Sequence, residues 1–481
     1  MGINNAFNNA VSGLTASSRK AEIVSANVAN AMTEGYARRE LSISAETLGG
    51  DGGGVRILGV NRIVDATLLQ DKQLADAAAA NIDVKVDFFA NIEAEIGDPT
   101  EAGSLGQTIS DFENALLEAS SMPDSVARLT ATVTTAQSVV SKINAISDEI
   151  QASRLEADHA IGEQVDLLNE SLVRIDELNH AITSQLSTGR DASALMDERQ
   201  MVLDQIAEIV PIKVVDRDNN QISIFTKSGA ILLDGSPSEI GFSSSSAMDP
   251  GWTLESGTLS GLTLNGQPVS TAESGMFGGG SLAANFAIRD ELAPEAQANL
   301  DAVARDLMTR LESVSVDDNG AGLFTDAGEA FDAANETGLA GRLRLNASVD
   351  PSQEDGAVWR IRDGLDATSE GAVGNATLLN AISAALSDES APASGNMGST
   401  RRSFSGLAAG FLSIVASDRQ SAELTQSYTS ARQESLNEMV LGQGVDTDYE
   451  LQNLLVIEQA YAANAKVISA IDSLLQEILD L

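Results

Sequence analysis

Residues 454–478 read LLVIEQAYAANAKVISAIDSLLQEI, and this stretch decides the fold that we predict for the chain. Apolar residues recur at alternating spacings of three and four, the heptad pattern of a helix that packs along another helix. The positions of this seam are Leu454, Ile457, Tyr461, Asn464, Ile468, Ile471, Leu475 and Ile478. Its one strongly polar member, Asn464, can set the register of a helix pair at some cost in stability.

A matching seam begins near the other end of the chain. Its positions are Ile3, Phe7, Ala10, Leu14, Ser17, Ala21, Val24, Val28 and Ala31. The two end helices either pair with each other as a coiled coil or dock separately on a globular core. We favour pairing, because neither end shows an obvious second apolar face. Their position at the extreme termini also suggests a role between subunits, so we expect helices that are poorly ordered in the free monomer and order on assembly.

The composition excludes several kinds of partner and site. The 481 residues include 29 Lys and Arg against 70 Asp and Glu, a net charge of −41. Such a polyanion repels phosphate backbones and anionic lipids, so we expect neither nucleic acid nor a membrane as a partner. No apolar run approaches the roughly 18 residues of a bilayer span. There are no cysteines, which removes disulfides, thiolate metal sites and a cysteine nucleophile.

Helical patterns cover most of the chain between the two seams. The stretch from Pro123 to about Leu186 contains one glycine and no further proline, which predicts a helix on the order of 90 Å long. Other predicted helices cover residues 65–96, 105–120, 192–210, 291–314, 376–386 and 404–440.

Short β-branched runs interrupt these helices. Strands are predicted at residues 212–215, 221–225, 231–233, 342–347 and 358–362. The fold class is therefore mainly α with β-rich insertions, in an elongated, nested, multi-domain chain. The predicted domains are a terminal coiled-coil core (1–62 and 441–481), a helical bundle (63–211, 286–316 and 403–440) and one or more β-rich surface insertions (212–285 and 317–402).

Candidate chemical sites have little support in the residues. His159 and His180 are too far apart on one predicted helix to share a metal. Residues 216–220 begin like a calcium loop, but Gln221 replaces the required glycine, so we predict a β-turn. The glycine-rich stretches 49–54 and 278–280 lack the context of a phosphate-binding loop. We expect no catalytic residue, cofactor or metal, and therefore no enzyme.

Two terminal segments resemble the axial proteins of the bacterial flagellum. Ser12-Gly13-Leu14, followed by Asn27, Asn30, Gly35 and Tyr36, is similar to the N-terminal motif of that family, with Ala26, Met32 and Glu34 as departures. Gly35 stands where a turn after the helix requires a positive φ. The run from Glu458-Gln459-Ala460-Tyr461 to the end at Leu481 resembles the family's C-terminal motif.

A third segment narrows the resemblance to the flagellar hook-associated protein 1 family. Leu195-Met196-Asp197-Glu198-Arg199, followed by residues 203–210, is similar to a block of that family, and so is the region that begins at Arg289-Asp290. The resemblance covers both ends and the bundle, whereas residues 212–280 and 317–402 match nothing recognisable.

The resemblance implies a structural subunit at the junction of hook and filament. Its implied partners are copies of itself in a ring-like layer, the hook protein, a neighbouring hook-associated protein and an export chaperone at the C-terminal region. Residues 1–20 lack a standard secretory signal, which fits export to the extracellular flagellum through the flagellar type III apparatus. The alternatives are another axial protein of hook or distal rod, or a secreted adhesin or enzyme with helical stalks.

Overall fold

The computed structural model describes residues 3–33, 35–48 and 51–479. Glu34 of the predicted turn, the glycines at 49 and 50 and the chain end at Leu481 therefore lie outside the described residues. The chain divides into two compact units. The first unit comprises Met1–Ala79, Asp166–Glu239 and Thr429–Leu481, and the second comprises Ala80–Val165 and Ile240–Tyr428.

Helices dominate both units. They are α1 (Ile3–Ala29), α2 (Ala66–Ile96), α3 (Leu105–Ser121), α4 (Val126–Ser187), α5 (Ser193–Ile209), α6 (Ser281–Ala287), α7 (Ala293–Glu312), α8 (Leu339–Arg342), α9 (Arg360–Asp363), α10 (Thr377–Ser387), α11 (Phe404–Gly442) and α12 (Thr447–Leu479).

The strands are short and form small sheets. They are β1 (Arg39–Leu48), β2 (Asp51–Arg62), β3 (Ile212–Asp216), β4 (Ile222–Thr226), β5 (Ile231–Leu233), β6 (Ile240–Gly241), β7 (Thr263–Leu264), β8 (Gln267–Pro268), β9 (Phe324–Asp326) and β10 (Leu343–Leu345). All pairings are antiparallel, in the orders β1-β2, β3-β4-β5, β6-β7-β8 and β10-β9.

The first unit holds both termini, and in it α1 packs against α12 and against the β1–β2 hairpin. The sequence analysis does not predict this hairpin. Register shifts after Ser42 and Glu46, together with the glycines of β2, break the apolar alternation that marks a strand. The predicted core segment 1–62 is therefore a helix followed by a hairpin.

The second sheet of this unit matches its prediction closely. Strands β3 and β4 are joined by a turn in which Asn219 and Asn220 have positive φ angles of 58° and 60°. The N–H of Arg217 donates to the carbonyl of Gln221 at 2.8 Å and closes the turn. The prediction of a β-turn at 216–220 is thereby confirmed.

The core of the second unit is built from helices of strong periodicity. Ser104 caps α3 by accepting a hydrogen bond from the N–H of Gln107 at 3.2 Å. The buried face of α3 carries Leu105, Ile109, Phe112 and Leu116, and α4 faces it with an aliphatic stripe. Phe112 also meets Phe324 of β9 edge-on, with ring centroids 6.0 Å apart.

The helical segment predicted at 291–314 begins ten residues earlier than expected. Helix α6 starts at Ser281 and continues through a π-helical turn, Ile288–Leu292, into α7. Proline suits the first turn of a helix, and Pro294 stands in the first turn of α7. The wider π turn accommodates the missing N–H of Pro294 within a continuous helical segment.

The strand predicted at 358–362 is wrong, because this segment contains the short helix α9 instead. Val358, Ile361 and Leu365 recur at spacings of three and four, and all three contribute to the core. That spacing is typical of a helix and not of the alternation that marks a strand. The strand predicted at 342–347 is confirmed in its central three residues as β10.

The fold is mainly α with small β elements, as the sequence predicts. The helices predicted at 65–96, 105–120, 192–210, 376–386 and 404–440 agree with the observed bounds to within two residues. The three-domain division of the sequence analysis is not the same division as the two compact units, and it stays a prediction.

Candidate functional site: the terminal helix pair and its anchor

The two terminal helices approach each other most closely at a glycine. A Cβ atom built on Gly13 of α1 would lie 2.8 Å from Nδ2 and 3.0 Å from Oδ1 of Asn464 on α12. A side chain at position 13 would therefore require the Asn464 amide to shift, whereas the glycine permits the observed approach. The polar seam residue Asn464 thus packs directly on the backbone of the partner helix.

The residue before this glycine ties α1 to the hairpin. The Ser12 hydroxyl donates to the carbonyl of Asn9 at 3.0 Å and accepts from the N–H of Val55 in β2 at 3.1 Å. Within the N-terminal motif, Ser12 therefore contacts β2, whereas Gly13 contacts α12.

The predicted seam residues divide into three groups by burial. Ala10, Ser17, Val24, Ile457 and Ile471 are buried. Leu14, Val28, Leu454, Asn464 and Ile468 are half-buried. Phe7, Tyr461, Leu475 and Ile478 are exposed. The contact between α1 and α12 therefore covers part of the predicted seam within this chain.

Helix α12 also exposes apolar residues that lie outside the seam. Leu455 and Val456 are 59% and 63% exposed, and Leu451, Val467, Leu474 and Leu479 are exposed as well. The expectation that neither end shows a second apolar face is wrong for α12. A heptad seam takes in two of every seven helix positions, whereas these exposed apolar residues occupy the positions beside it.

A hydropathy window in this region also combines apolar composition with exposure. Within 404–479, one 18-residue window reaches a mean hydropathy of 1.2 with 11% of it buried, which by length and composition alone suffices to cross a membrane. A helix that packs against another protein requires the same exposed apolar surface. This is weak evidence for a membrane span, and the expectation of no membrane partner stays a prediction.

A buried asparagine connects the end of α1 to the start of the hairpin. Asn27 is 1% exposed. Its Oδ1 accepts from the Tyr36 hydroxyl at 2.8 Å and from the N–H of Arg39 at 3.0 Å, and its Nδ2 donates to the carbonyl of Arg39 at 2.9 Å. These hydrogen bonds satisfy the buried amide of Asn27 and hold the backbone of Arg39, the first residue of β1, against the end of α1.

Asp197 of the third motif lies between two arginines of this hairpin. Its carboxylate accepts from Nη2 of Arg39 at 2.8 Å, from Nε of Arg62 at 2.6 Å and from the N–H of Ala37 at 3.3 Å. All three charged side chains are largely buried. The carboxylate therefore holds both strands of the hairpin to helix α5.

A further ion pair joins the hairpin to α12. Nε of Arg38 donates to Oε1 of Glu450 at 2.9 Å, and the guanidinium lies 5.3 Å from the centroid of the Tyr449 ring. Glu450 is only 1% exposed and stands in the first turn of α12. Residues 27–39, 197 and 450, which lie far apart in sequence, are thus brought to one anchor beside the terminal helix pair.

Arg199 of the same motif has a different set of contacts. Its Nη1 donates to Oδ1 of Asn179 at 2.7 Å and to the carbonyl of Asn220 at 2.8 Å. Burial and, to a smaller extent, the nearby charge of Arg62 together lower the pKa of Arg199 to about 10. Arg199 links α4 and α5 to the β3–β4 turn and lies outside the Asp197 cluster.

The remaining predicted motif residues have local roles or none that the structure shows. Nδ2 of Asn30 donates to the carbonyl of Ala26 at 2.8 Å at the end of α1. Gly35 has the expected positive φ, 74°, and a Cβ there would lie 2.6 Å from Cγ of Met201. Gln459 is exposed on α12.

The anchor residues that sequence reasoning missed are Arg38, Arg39, Arg62 and Glu450. Pattern analysis finds apolar periodicity, and an ion pair between distant segments leaves no periodic signal. Among residues 3–33, 35–48 and 51–479, no group of three or more His, Asp or Glu side chains could hold a metal ion.

Three protein-family models match the sequence. The family described as "Flagellar hook-associated protein FlgK helical domain" matches residues 89–331, which is half of the chain. "Flagella basal body rod protein" matches residues 7–36, and "Flagellar basal body rod FlgEFG protein C-terminal" matches residues 436–481. The last two matches coincide with the terminal motifs.

Similar individual proteins share one name. Flagellar hook-associated protein 1 of Bacillus subtilis is 22% identical over 494 residues, covering 94% of this chain and 93% of the relative. The protein of that name from Escherichia coli is 25% identical over 283 residues, covering 57% and 51%, so the chain spans about half the length of that relative. A solved structure, the flagellar hook junction protein FlgK from Burkholderia pseudomallei, matches 53% of this chain and 46% of that chain with 19% identity and a TM-score of 0.44.

Proposed function

Because the chain belongs to the family of the flagellar hook-associated protein FlgK, we propose that it is a structural subunit that joins hook to filament in the bacterial flagellum. The observation that carries the proposal is the exposed apolar surface of α12 beside its contact with α1. A soluble chain that leaves so much apolar helix uncovered gains stability when a neighbouring protein covers it.

The proposed assembly is a ring-like layer of copies of this chain. The exposed seam residues Phe7, Tyr461, Leu475 and Ile478 would pack between neighbouring copies, and the half-buried ones would complete the seam. The anchor supports this arrangement, because Asp197 and Glu450 fix the hairpin and the start of α12 within each copy. The hook protein and a neighbouring hook-associated protein are the proposed contacts on the two sides of the layer.

Export before assembly is part of the proposal. The chain would reach the extracellular flagellum through the flagellar type III apparatus. An export chaperone that binds the C-terminal region would cover α12, whose apolar residues otherwise invite aggregation. Since the similar proteins are named as flagellar hook-associated proteins, we also propose that the chain catalyses no reaction.

Immunogold labelling of isolated flagella tests the proposed location. Antibody against the full chain should label one narrow band per flagellum, between hook and filament. Label along the whole hook or in the rod would favour the alternative of another axial protein. Label absent from flagella but present in the culture medium would favour a secreted adhesin or enzyme.

A further inference from the structure

A long segment without helix or strand lies against α4 in the second unit. Residues 242–260, within the connection from β6 to β7, are all described, and none of them belongs to a regular element. Segments of more than about 15 residues without secondary structure are uncommon in compact domains. Buried backbone N–H and C=O groups need partners, so this segment, which we call the strap, depends on side chains for them. The function proposed above does not use the strap.

One face of α4 supplies these partners. Arg154, Asp158 and Gly162 follow one another at a spacing of four, which places them on the same side of a helix. Oδ2 of Asp158 accepts the N–H of Ser245 at 2.6 Å. A Cβ atom at Gly162 would lie 2.6 Å from Oγ of Ser244, so the one glycine in the sequence of α4 stands where the strap approaches the helix.

Arg154 binds the middle of the strap through its backbone. Nη1 donates to the carbonyl of Asp249 at 3.2 Å, and Nη2 donates to the carbonyl of Trp252 at 2.9 Å. Arg154 is 1% exposed, and the acceptors that the structure describes for its guanidinium are all neutral oxygens. Arg154 therefore fixes the path of the strap without contacting its polar side chains.

The same guanidinium also contacts the π turn between α6 and α7. In this turn the N–H of Ala293 donates to the carbonyl of Ile288, five residues earlier. The same spacing would pair the N–H of residue 294 with the carbonyl of Arg289, but Pro294 has no N–H. Nε of Arg154 donates to that carbonyl instead, at 3.0 Å.

The two ends of the strap meet at the side chain of Arg289. Its Nη2 donates to the carbonyl of Ser260 at 3.0 Å, and its guanidinium lies 5.5 Å from the centroid of the Phe242 ring. Its Nη1 donates to Oδ1 of Asp158 at 2.7 Å. Two buried arginines therefore join the strap, α4 and the π turn, one from α4 and one from the turn.

We infer that Arg154 couples the closed position of the strap on α4 to the π turn, because it holds two strap carbonyls and supplies the donor that Pro294 lacks. One planar guanidinium makes these bonds together, so each bond orients the group for the others. Burial is the main cause that lowers the pKa of Arg154, and these bonds together offset the cost of that burial. The inference goes beyond the proposed function and does not depend on it.

Hydrogen exchange of the full chain, followed by mass spectrometry of its peptides, tests the coupling. Arg154→Met should speed exchange in the strap and in residues 285–298 by about tenfold or more, because three carbonyls lose a charged donor. Pro294→Ala adds an N–H that can take the carbonyl of Arg289. In that background Arg154→Met should speed exchange at 285–298 less than about threefold, whereas the strap should still exchange about tenfold faster.

Arg362→Met is the matched control. Arg362 is 3% exposed in the same unit, and its guanidinium donates to Asp363 and to the carbonyl of Pro123, away from the strap and the π turn. Its substitution should leave exchange of both segments within about twofold of the native rate. Arg154→Lys keeps the charge without the planar fork, so the strap should exchange at an intermediate rate. This variant takes the place of Arg154→Met in the double variant if Arg154→Met does not fold.

Three results would overturn the inference. Unchanged exchange of the strap in Arg154→Met would show that Arg154 does not hold it. Equal acceleration at 285–298 in the native and the Pro294→Ala backgrounds would show that Arg154 does not replace the missing N–H. Acceleration of both segments by Arg362→Met as well would show a general loss of stability in place of a specific coupling.

Discussion

Gly13 of α1 and Asn464 of α12 lie in such close contact that a single added carbon at Gly13 would stand 2.8 Å from Nδ2 of the asparagine. The two residues are at opposite ends of the chain, and each belongs to a motif that the sequence alone reveals. Their contact sets the distance between the terminal helices in the first unit. Glycine lowers the stability of a helix interior. Its presence at position 13 is therefore explained by the close approach of Asn464.

This contact predicts that the effect of Gly13→Ala on the stability of the helix pair has opposite signs in the native chain and in an Asn464→Ala variant. In the native chain, the added methyl group must displace the Asn464 amide, which is the end of a flexible side chain, so the net destabilisation of the helix pair should be small, no more than about 1 kcal/mol. In an Asn464→Ala background the clash is absent, and the better helix propensity of alanine should stabilise α1 by roughly 0.5–1 kcal/mol. Hydrogen exchange of the α1 amides measures both effects, and a loss of similar size in both backgrounds would refute the contact.

Removal of the carboxylate at the anchor should be costly. Asp197→Ala leaves Arg39 and Arg62 largely buried without their partner, so we expect a loss of about 3–5 kcal/mol in the local stability of the hairpin. Glu198→Gln, at the next residue, removes an exposed ion pair with Arg174 and should cost little, because solvent screens this pair. Proteolysis rates of the hairpin compare the two variants, and equal rates would contradict the role assigned to Asp197.

Stability should fall with rising pH because of one carboxyl group in the second unit. Asp301 of α7 accepts the N–H groups of Gly338 at 2.7 Å and Ala340 at 2.8 Å, together with the side-chain amide of Gln297 at 2.9 Å. Burial raises the pKa of Asp301 from 3.8 to about 6 in spite of these donors. Well below pH 3.8 the carboxyl is neutral in folded and unfolded chains. As the pH rises through 3.8 toward 6 the unfolded chain loses the proton first, and above pH 6 the full cost to the folded state is about 3 kcal/mol.

The measurement for this group is the stability of the native chain relative to Asp301→Asn from pH 4 to pH 7. Within this range the advantage of the native chain should be largest at pH 4 and should shrink by about 2 kcal/mol by pH 7. Asp318→Asn, at an exposed position of the same unit, controls for the loss of one negative charge. A relative advantage that grows with pH would show that the hydrogen-bond donors outweigh burial.

Two substitutions on α12 separate assembly from folding. Leu475 is exposed in the single chain, so Leu475→Asp should leave the helix content and melting temperature unchanged but block assembly, because the charge would be buried between subunits. Ile471 is buried against the rest of the chain, so Ile471→Asp should destabilise the helix pair by about 2–5 kcal/mol before assembly. Ser473→Asp, at an exposed polar position, is the control. Motility and circular dichroism report the two effects, and full motility of Leu475→Asp would contradict the packing role.

The sequence predicts the elements whose signal is periodic. Helices such as α3 and α4 are recognised from their apolar spacing and their proline boundaries, and the β3–β4 turn from its Asp-Asn-Asn sequence. The β1–β2 hairpin escapes prediction because bulges and glycines disturb its alternation. Helix α9 escapes because the five residues 358–362, Val-Trp-Arg-Ile-Arg, are too few to distinguish the two periods.

The anchor residues show that sequence patterns also fail to reveal the partners in buried ion pairs. Asp197 and Asn27 are singled out from motifs, yet their partners Arg39 and Arg62 carry no pattern that distinguishes them from other surface arginines. The buried pair of Arg289 and Asp158, with Nη1 and Oδ1 2.7 Å apart, repeats the lesson in the second unit. Such pairs depend on how distant segments meet, which tertiary packing decides.

The most direct test of the central claim is deletion of the gene in its source organism, followed by electron microscopy of the cell surface and assay of flagellin in the medium. A junction subunit predicts intact hooks without filaments, and flagellin secreted as unpolymerised protein. Expression of the native chain from a plasmid should restore filaments, whereas the Leu475→Asp variant should not. Normal filaments on the deletion strain would contradict the account.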